Sequence, residues 1–195
     1  MGKRIAFYET KNGKSLKNNL LENYSEFKKW ILIENQNSLN EYNERIVSVE
    51  IQEFLESNAE LDLQKPEQKL LDELLIEFLL VYCDYGKGTE LVNLIGPLIK
   101  THKYDKSFKI ISKEKNRKLI EIWNILKVGR SLRNDKPSTN IDGDLIGFWK
   151  SNELKYLNEN LKNIKRKYDI GIECITQVLA EIGKGKEELI IVIEI

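Results

Sequence analysis

The chain has 195 residues, 41% of them hydrophobic and 32% charged, with 31 Lys/Arg set against 31 Asp/Glu. That is enough apolar material for one sizeable core and excludes a disordered chain, while zero net charge argues against general nucleic-acid binding, which needs surplus cations to displace counterions from phosphates. The balance is not local, because residues 41–90 hold thirteen acids against four bases and residues 100–136 hold twelve bases against four acids. Segments of this kind either pair with each other or present surfaces of opposite sign that a partner can read.

From the N-terminus, Arg4 to Tyr8 reads as a short strand and Asn12-Gly13 as a turn, with Ser15 capping a helical stretch. The apolar run before Glu9 is too short for a signal-peptide core, so a cytoplasmic protein is expected. No stretch of about twenty apolar residues occurs, so no membrane span is expected. Two helices fill the region to about Ser57. Trp30 and Ile31 face inward on the first, and Ile46, Val49, Phe54 and Leu55 mark the apolar side of the second. Lys65-Pro66-Glu67 starts a third helix, whose Leu70, Leu71, Leu74, Leu75, Phe78 and Leu79 make it the expected central helix.

Beyond Asp84-Tyr85-Gly86, Thr89 is read as the cap of a helix that turns Leu91, Leu94 and Ile95 inward until Gly96-Pro97 breaks it. Phe108 to Ile111 is read as a short strand. Ser112 then opens a helix with Leu119, Ile122, Trp123 and Leu126 on its inner face, stopped by Gly129. Residues 130–144 have loop composition. Leu145 to Trp149 reads as a strand, Ser151 as the cap of a helix carrying Leu154, Leu157, Leu161 and Ile164, and Ile170 as the start of a last helix with Ile175, Val178, Leu179 and Ile182 inward. The closing run Leu189 to Ile195 is almost continuously apolar and β-branched, which predicts an interior strand covered on both faces. The fold class expected is α+β: a mainly helical single domain over residues 1–195 with a small sheet that includes the C-terminal strand.

Reactive chemistry is sparsely marked. Tyr8 to Ser15, YETKNGKS, has the place of a phosphate loop but lacks its first glycine, so Lys14 and Ser15 read as part of an Asn-Gly turn with a cap. His102 is the sole histidine, which excludes a multi-histidine zinc site, and Cys83 and Cys174 read as packed reduced thiols. Neither Gly86-Lys87-Gly88-Thr89 nor Gly183-Lys184-Gly185-Lys186 has dinucleotide spacing. Asp142 and Asp144 flank Gly143 as turn formers do. Trp30, Trp123 and Trp149 fall on inner faces and read as core. No catalytic residue, metal site or cofactor is assigned. Arg130, Arg133 and Lys136 form the candidate anion- or ligand-binding set. Glu50, Glu53, Glu56 and Glu60, on the acidic helices, form the candidate partner-binding set.

The stretches GFWKSNELKYLNENLK (147–162) and GIECITQVLAEIGKGKEELIIVIE (171–194) resemble a pattern of small bacterial proteins that includes immunity proteins neutralising polymorphic toxins. The resemblance implies a cytoplasmic protein that binds and occludes a cognate toxin without a cofactor. It carries over no contact residue. The residues themselves point to a protein-interaction function, with charged surfaces giving fast, steered association. Two alternatives stay open: a small-ligand protein or enzyme using the loop 130–144, and local nucleic-acid binding through 100–136.

Overall fold

A computed structural model of the chain describes residues 3–10, 25, 92–130, 137, 146–164, 168–182 and 190–194. By its contacts the chain divides into two compact units. One comprises Met1–Ser15, Val92–Ser131 and Lys136–Ile195; the other, Leu16–Leu91 with Leu132–Asp135, lies outside the described residues apart from Ser25. The helices expected between Ser15 and Asp84, with Trp30 and Cys83, fall in that second unit.

The first unit is α+β. Its strands are β1 (Arg4–Thr10), β2 (Val92–Lys100), β3 (Ile146–Trp149) and β4 (Ile190–Glu194), and its helices are α1 (His102–Ile111), α2 (Arg117–Val128), α3 (Ser151–Leu161) and α4 (Ile170–Glu181). The sheet is antiparallel throughout, in the order β2-β1-β4-β3. The C-terminal strand therefore takes the interior place that its almost continuous apolar run predicts, with Ala6 opposite Ile193 on one side and Ile146 opposite Ile193 on the other. Ile5, Phe7 and Trp149 face the helices, and the Phe7 and Trp149 rings stack 5.8 Å apart. On the opposite face Ala6 and Phe148 are buried as well, so the sheet is closed to water on both sides at these positions.

Two elements differ from the sequence reading. Val92–Lys100 is a strand, not a helix capped by Thr89. Its Ile95 and Ile99 pack against the core while Leu94 and Leu98 are 53% and 43% exposed, so the apolar residues alternate between two faces instead of lining one. Gly96-Pro97 does not break a helix but forms a bulge on an edge strand: Ile5 pairs with Ile99 and Phe7 with Ile95, so β2 carries extra residues against β1. Gly96 has φ +67, and a Cβ there would lie 2.4 Å from Val178 Cγ2, so glycine is required for the backbone to bend against α4.

The second difference is α1. Phe108 to Ile111 is the end of a ten-residue helix that buries Tyr104, Ser107 and Ile111 at helical spacing, not a strand of the sheet. Ser112 closes this helix, its Oγ donating to the Lys109 carbonyl at 3.1 Å, and a short 3-10 turn to Glu114 follows. The cap of α2 is Asn116, whose Oδ1 accepts from the Leu119 N–H at 3.1 Å. Gly129 ends α2 with φ +65, as its sequence position implies. At α3 the cap residue is Lys150 rather than Ser151, and the Glu153 carboxylate accepts the Lys150 N–H at 2.8 Å.

The helices build one core. α4 packs on β2 and on α1, α2 on α1, β3 and α3, and α3 on α4. Leu119, Ile122, Trp123, Leu126, Leu154, Leu157, Leu161, Ile175, Val178 and Leu179 are buried, as the 3.6-residue pattern predicts, and Ile164 joins them.

Candidate functional site

Three arrangements of polar groups stand out, and two of them hold the fold together. The first lies where α1, α4 and the β2 bulge meet. Tyr104 O–H donates to Cys174 Sγ at 3.2 Å, and Cys174 Sγ in turn donates to the Pro97 carbonyl at 3.7 Å. Burial pushes the Tyr104 phenol well above its ordinary range, with Cys174 adding to it, and burial likewise raises the Cys174 thiol although the Tyr104 hydrogen bond opposes this. Cys174 is a free, buried thiol in its protonated form, not an activated thiolate. One turn away, buried Asp169 caps α4 by accepting the Ile172 N–H at 3.1 Å, and the same oxygen accepts the Ser107 hydroxyl. Gly171 sits against this pair: a Cβ there would lie 2.1 Å from Ser107 Oγ. At the bulge, the Glu181 carboxylate accepts the Gly96 N–H at 2.8 Å.

The second arrangement involves Arg130. Its guanidinium meets the Glu153 carboxylate through two bonds of 2.6 and 2.8 Å, stacks on the Phe148 ring and donates to the Phe148 carbonyl at 3.4 Å. The two side chains are 12% and 15% exposed. The fork thus clamps the end of α2 to β3 and to the start of α3. Of the candidate anion-binding set, Arg133 and Lys136 lie outside the described residues, as do Asp142 and Asp144. So do Glu50, Glu53, Glu56 and Glu60. Arg130 is therefore brought together with Glu153 and Phe148.

The third arrangement is on the surface of α1 and its continuation. Lys103, Lys106 and Lys109 recur at three-residue spacing, Lys100 precedes them and Lys113 and Lys115 follow; all six are exposed. Among the described residues the ion pairs are Arg117–Glu121 and Arg130–Glu153, and these six lysines take part in neither. Asp105 and Glu114 are the acids interleaved with them. His102 opens α1 and is exposed. Six of the twelve basic residues of 100–136 are thus displayed here as a ridge along α1 and its flanks. Sequence reasoning missed it because it took 108–111 for a strand; with Tyr104, Ser107, Phe108 and Ile111 read as a helical stripe, the lysines fall on the remaining surface.

Beside the ridge, a groove of about 200 Å³ runs between α1 and α2, lined by Thr101, Tyr104, Asp105, Phe108, Trp123, Leu126 and Lys127. Trp123 and Trp149 are both core residues, 1% and 0% exposed. Trp149 Nε1 donates to the Ile122 carbonyl at 2.9 Å, whereas Trp123 Nε1 is buried with no hydrogen-bond partner. A buried, unpaired N–H of this kind costs about 1–3 kcal/mol. Among the described residues no group of three or more His, Cys, Asp or Glu could hold a metal ion, and no helix is long and apolar enough to cross a membrane. Comparison with protein-family models, with curated proteins and with solved structures finds no match.

Proposed function

We propose that this chain is a cytoplasmic bacterial protein that acts by binding another protein through its charged surfaces, and that its partner is a toxin which it occludes, as immunity proteins do. The observation that carries the reading is the ridge of Lys100, Lys103, Lys106, Lys109, Lys113 and Lys115, exposed and outside the ion pairs of the described residues. Like charges crowded along α1 and the residues flanking it repel one another and cost stability. An acidic surface brought against them relieves that repulsion and gains steered association. The buried polar groups Tyr104, Cys174, Ser107 and Asp169 satisfy one another, which accords with a rigid scaffold for a partner-facing surface. The acidic segment with Glu50, Glu53, Glu56 and Glu60 is the second candidate for partner binding in this proposal, suited to a basic cleft.

A protein partner is favoured over nucleic acid because the ridge is interrupted by Asp105 and Glu114, contains no arginine and belongs to a chain of zero net charge. The test is purification of the tagged protein from its native host at low salt, with mass spectrometry of what co-elutes. One stoichiometric protein released by high salt supports the proposal. Nucleic acid alone, or no protein partner, overturns it.

A further inference from the structure

Two exposed apolar side chains, Tyr168 at 67% and Ile170 at 37%, stand on either side of buried Asp169. Asp169 is extended, with φ −146 and ψ 118, so its neighbours point the opposite way. Its own carboxylate is held inward by the Ile172 N–H and the Ser107 hydroxyl, and Gly171 closes the junction with no room for a Cβ against Ser107. Holding Asp169 inward therefore holds Tyr168 and Ile170 outward. The point of attachment is on α1: Ser107 directly follows Lys106 and lies one helical turn beyond Lys103, which puts the apolar pair beside the lysine ridge. Single exposed apolar residues are ordinary on protein surfaces. A fixed tyrosine bordered by like charges has instead the anatomy of an interface centre with its polar rim, because tyrosine offers a large contact area at little cost in conformational entropy.

We propose, resting on the reading of the ridge given above, that Tyr168 and Ile170 are the apolar anchor of that same interface, and that the partner protein presents an apolar pocket bordered by Asp and Glu side chains. The Tyr168 ring fills the pocket, Ile170 packs at its edge, and the bordering acids meet Lys103 and Lys106. The ridge then governs how fast the partner arrives, and the anchor how long it stays.

The test mixes the tagged full chain, carrying the photocross-linker p-benzoylphenylalanine in place of Tyr168 or of Leu94, with lysate of the native host. Leu94 is the control, an exposed apolar residue of β2 that is 53% accessible and six residues from Lys100. The expected result is one protein cross-linked through position 168 and not through position 94, by a peptide in which apolar residues adjoin Asp or Glu. With that protein purified, Tyr168→Ala should raise the Kd about 30-fold, the size of a hot-spot loss, and Tyr168→Phe should leave it within about threefold. The Tyr168→Ala ratio should be the same at roughly 0.1 M and 1 M salt, whereas the effect of reversing Lys103 and Lys106 shrinks at the higher salt. Cross-linking through position 94 alone, a cross-linked peptide without acids, or an unchanged Kd in Tyr168→Ala that melts like the wild type would each overturn the anchor and leave the ridge proposal standing. No protein co-eluting with the wild type would overturn both.

Discussion

Asp169, Ser107 and Gly171 show how a few residues fix one helix junction. The Asp169 carboxylate serves two donors at once, the Ile172 N–H and the Ser107 hydroxyl. Asp169→Ala should therefore cost about 2 kcal/mol, a lost cap plus a lost hydrogen bond to the Ser107 hydroxyl, which keeps only the longer contact to the Lys103 carbonyl at 3.3 Å. Asp169→Asn, which still caps, should cost less than half as much in the same urea titration. Gly171→Ala forces a methyl group into Ser107 Oγ and against Tyr104 Cδ1, 3.2 Å away. We expect a loss of about 2 kcal/mol, seen as a Tm lower by roughly 4–8 °C. Cys174 links stability to pH. The unfolded thiol ionises near its ordinary value of 9.0, whereas burial holds the folded one above it. The native state then keeps a proton that the unfolded state has lost, so the contribution of Cys174 is complete below about pH 9 and declines as pH rises past it. The difference in urea midpoint between the wild type and Cys174→Ala should narrow from about pH 8 to about pH 10.

At the scale of elements, α2, α3, α4, β1, β3 and β4 were legible because each combines a clean period with a stop or a cap. Gly129 ends α2, the Leu154, Leu157 and Leu161 stripe sets α3, and the apolar run of β4 requires an interior place in the sheet. The two misread elements are short apolar stretches in which helix and strand periods overlap. Leu94, Ile95, Leu98 and Ile99 fit a helical stripe at three- and four-residue spacing, yet the Gly96 bulge and the pairing with β1 place Leu94 and Leu98 outside and Ile95 and Ile99 inside. Phe108 to Ile111 looks β-prone taken alone, and only the burial of Tyr104 and Ser107 one turn earlier makes it a helix end. Arg130 is a third lesson: a loop arginine next to basic neighbours reads as an anion holder, and its partner Glu153 lies 23 residues on, beyond local pattern. Because the pair is largely buried, Glu153→Ala leaves a guanidinium without its acceptor and frees the Lys150 N–H as well. The expected cost is about 3 kcal/mol in denaturant melts, with Arg130→Met/Glu153→Met recovering much of it.

For the whole molecule, the feature that dominates the sequence is its separation of charge, and the structure describes six lysines of its basic part as an exposed ridge. What the ridge touches could not be read from sequence, because charge alone does not distinguish a neutralised segment from a displayed one. Long-range attraction across such a surface is screened by salt, the Debye length falling from about 8 Å at physiological ionic strength to about 3 Å at 1 M. A partner held by the ridge should therefore be lost at high salt while one held by apolar contact is kept.

The most direct measurement compares the tagged wild type with the triple variant Lys103→Glu, Lys106→Glu, Lys109→Glu in parallel purifications from the native host at low salt, with thermal melts to verify that both are folded. One stoichiometric protein should co-purify with the wild type and be absent from the folded variant. Equal recovery of that protein by the variant, or recovery of nucleic acid alone by the wild type, would contradict it.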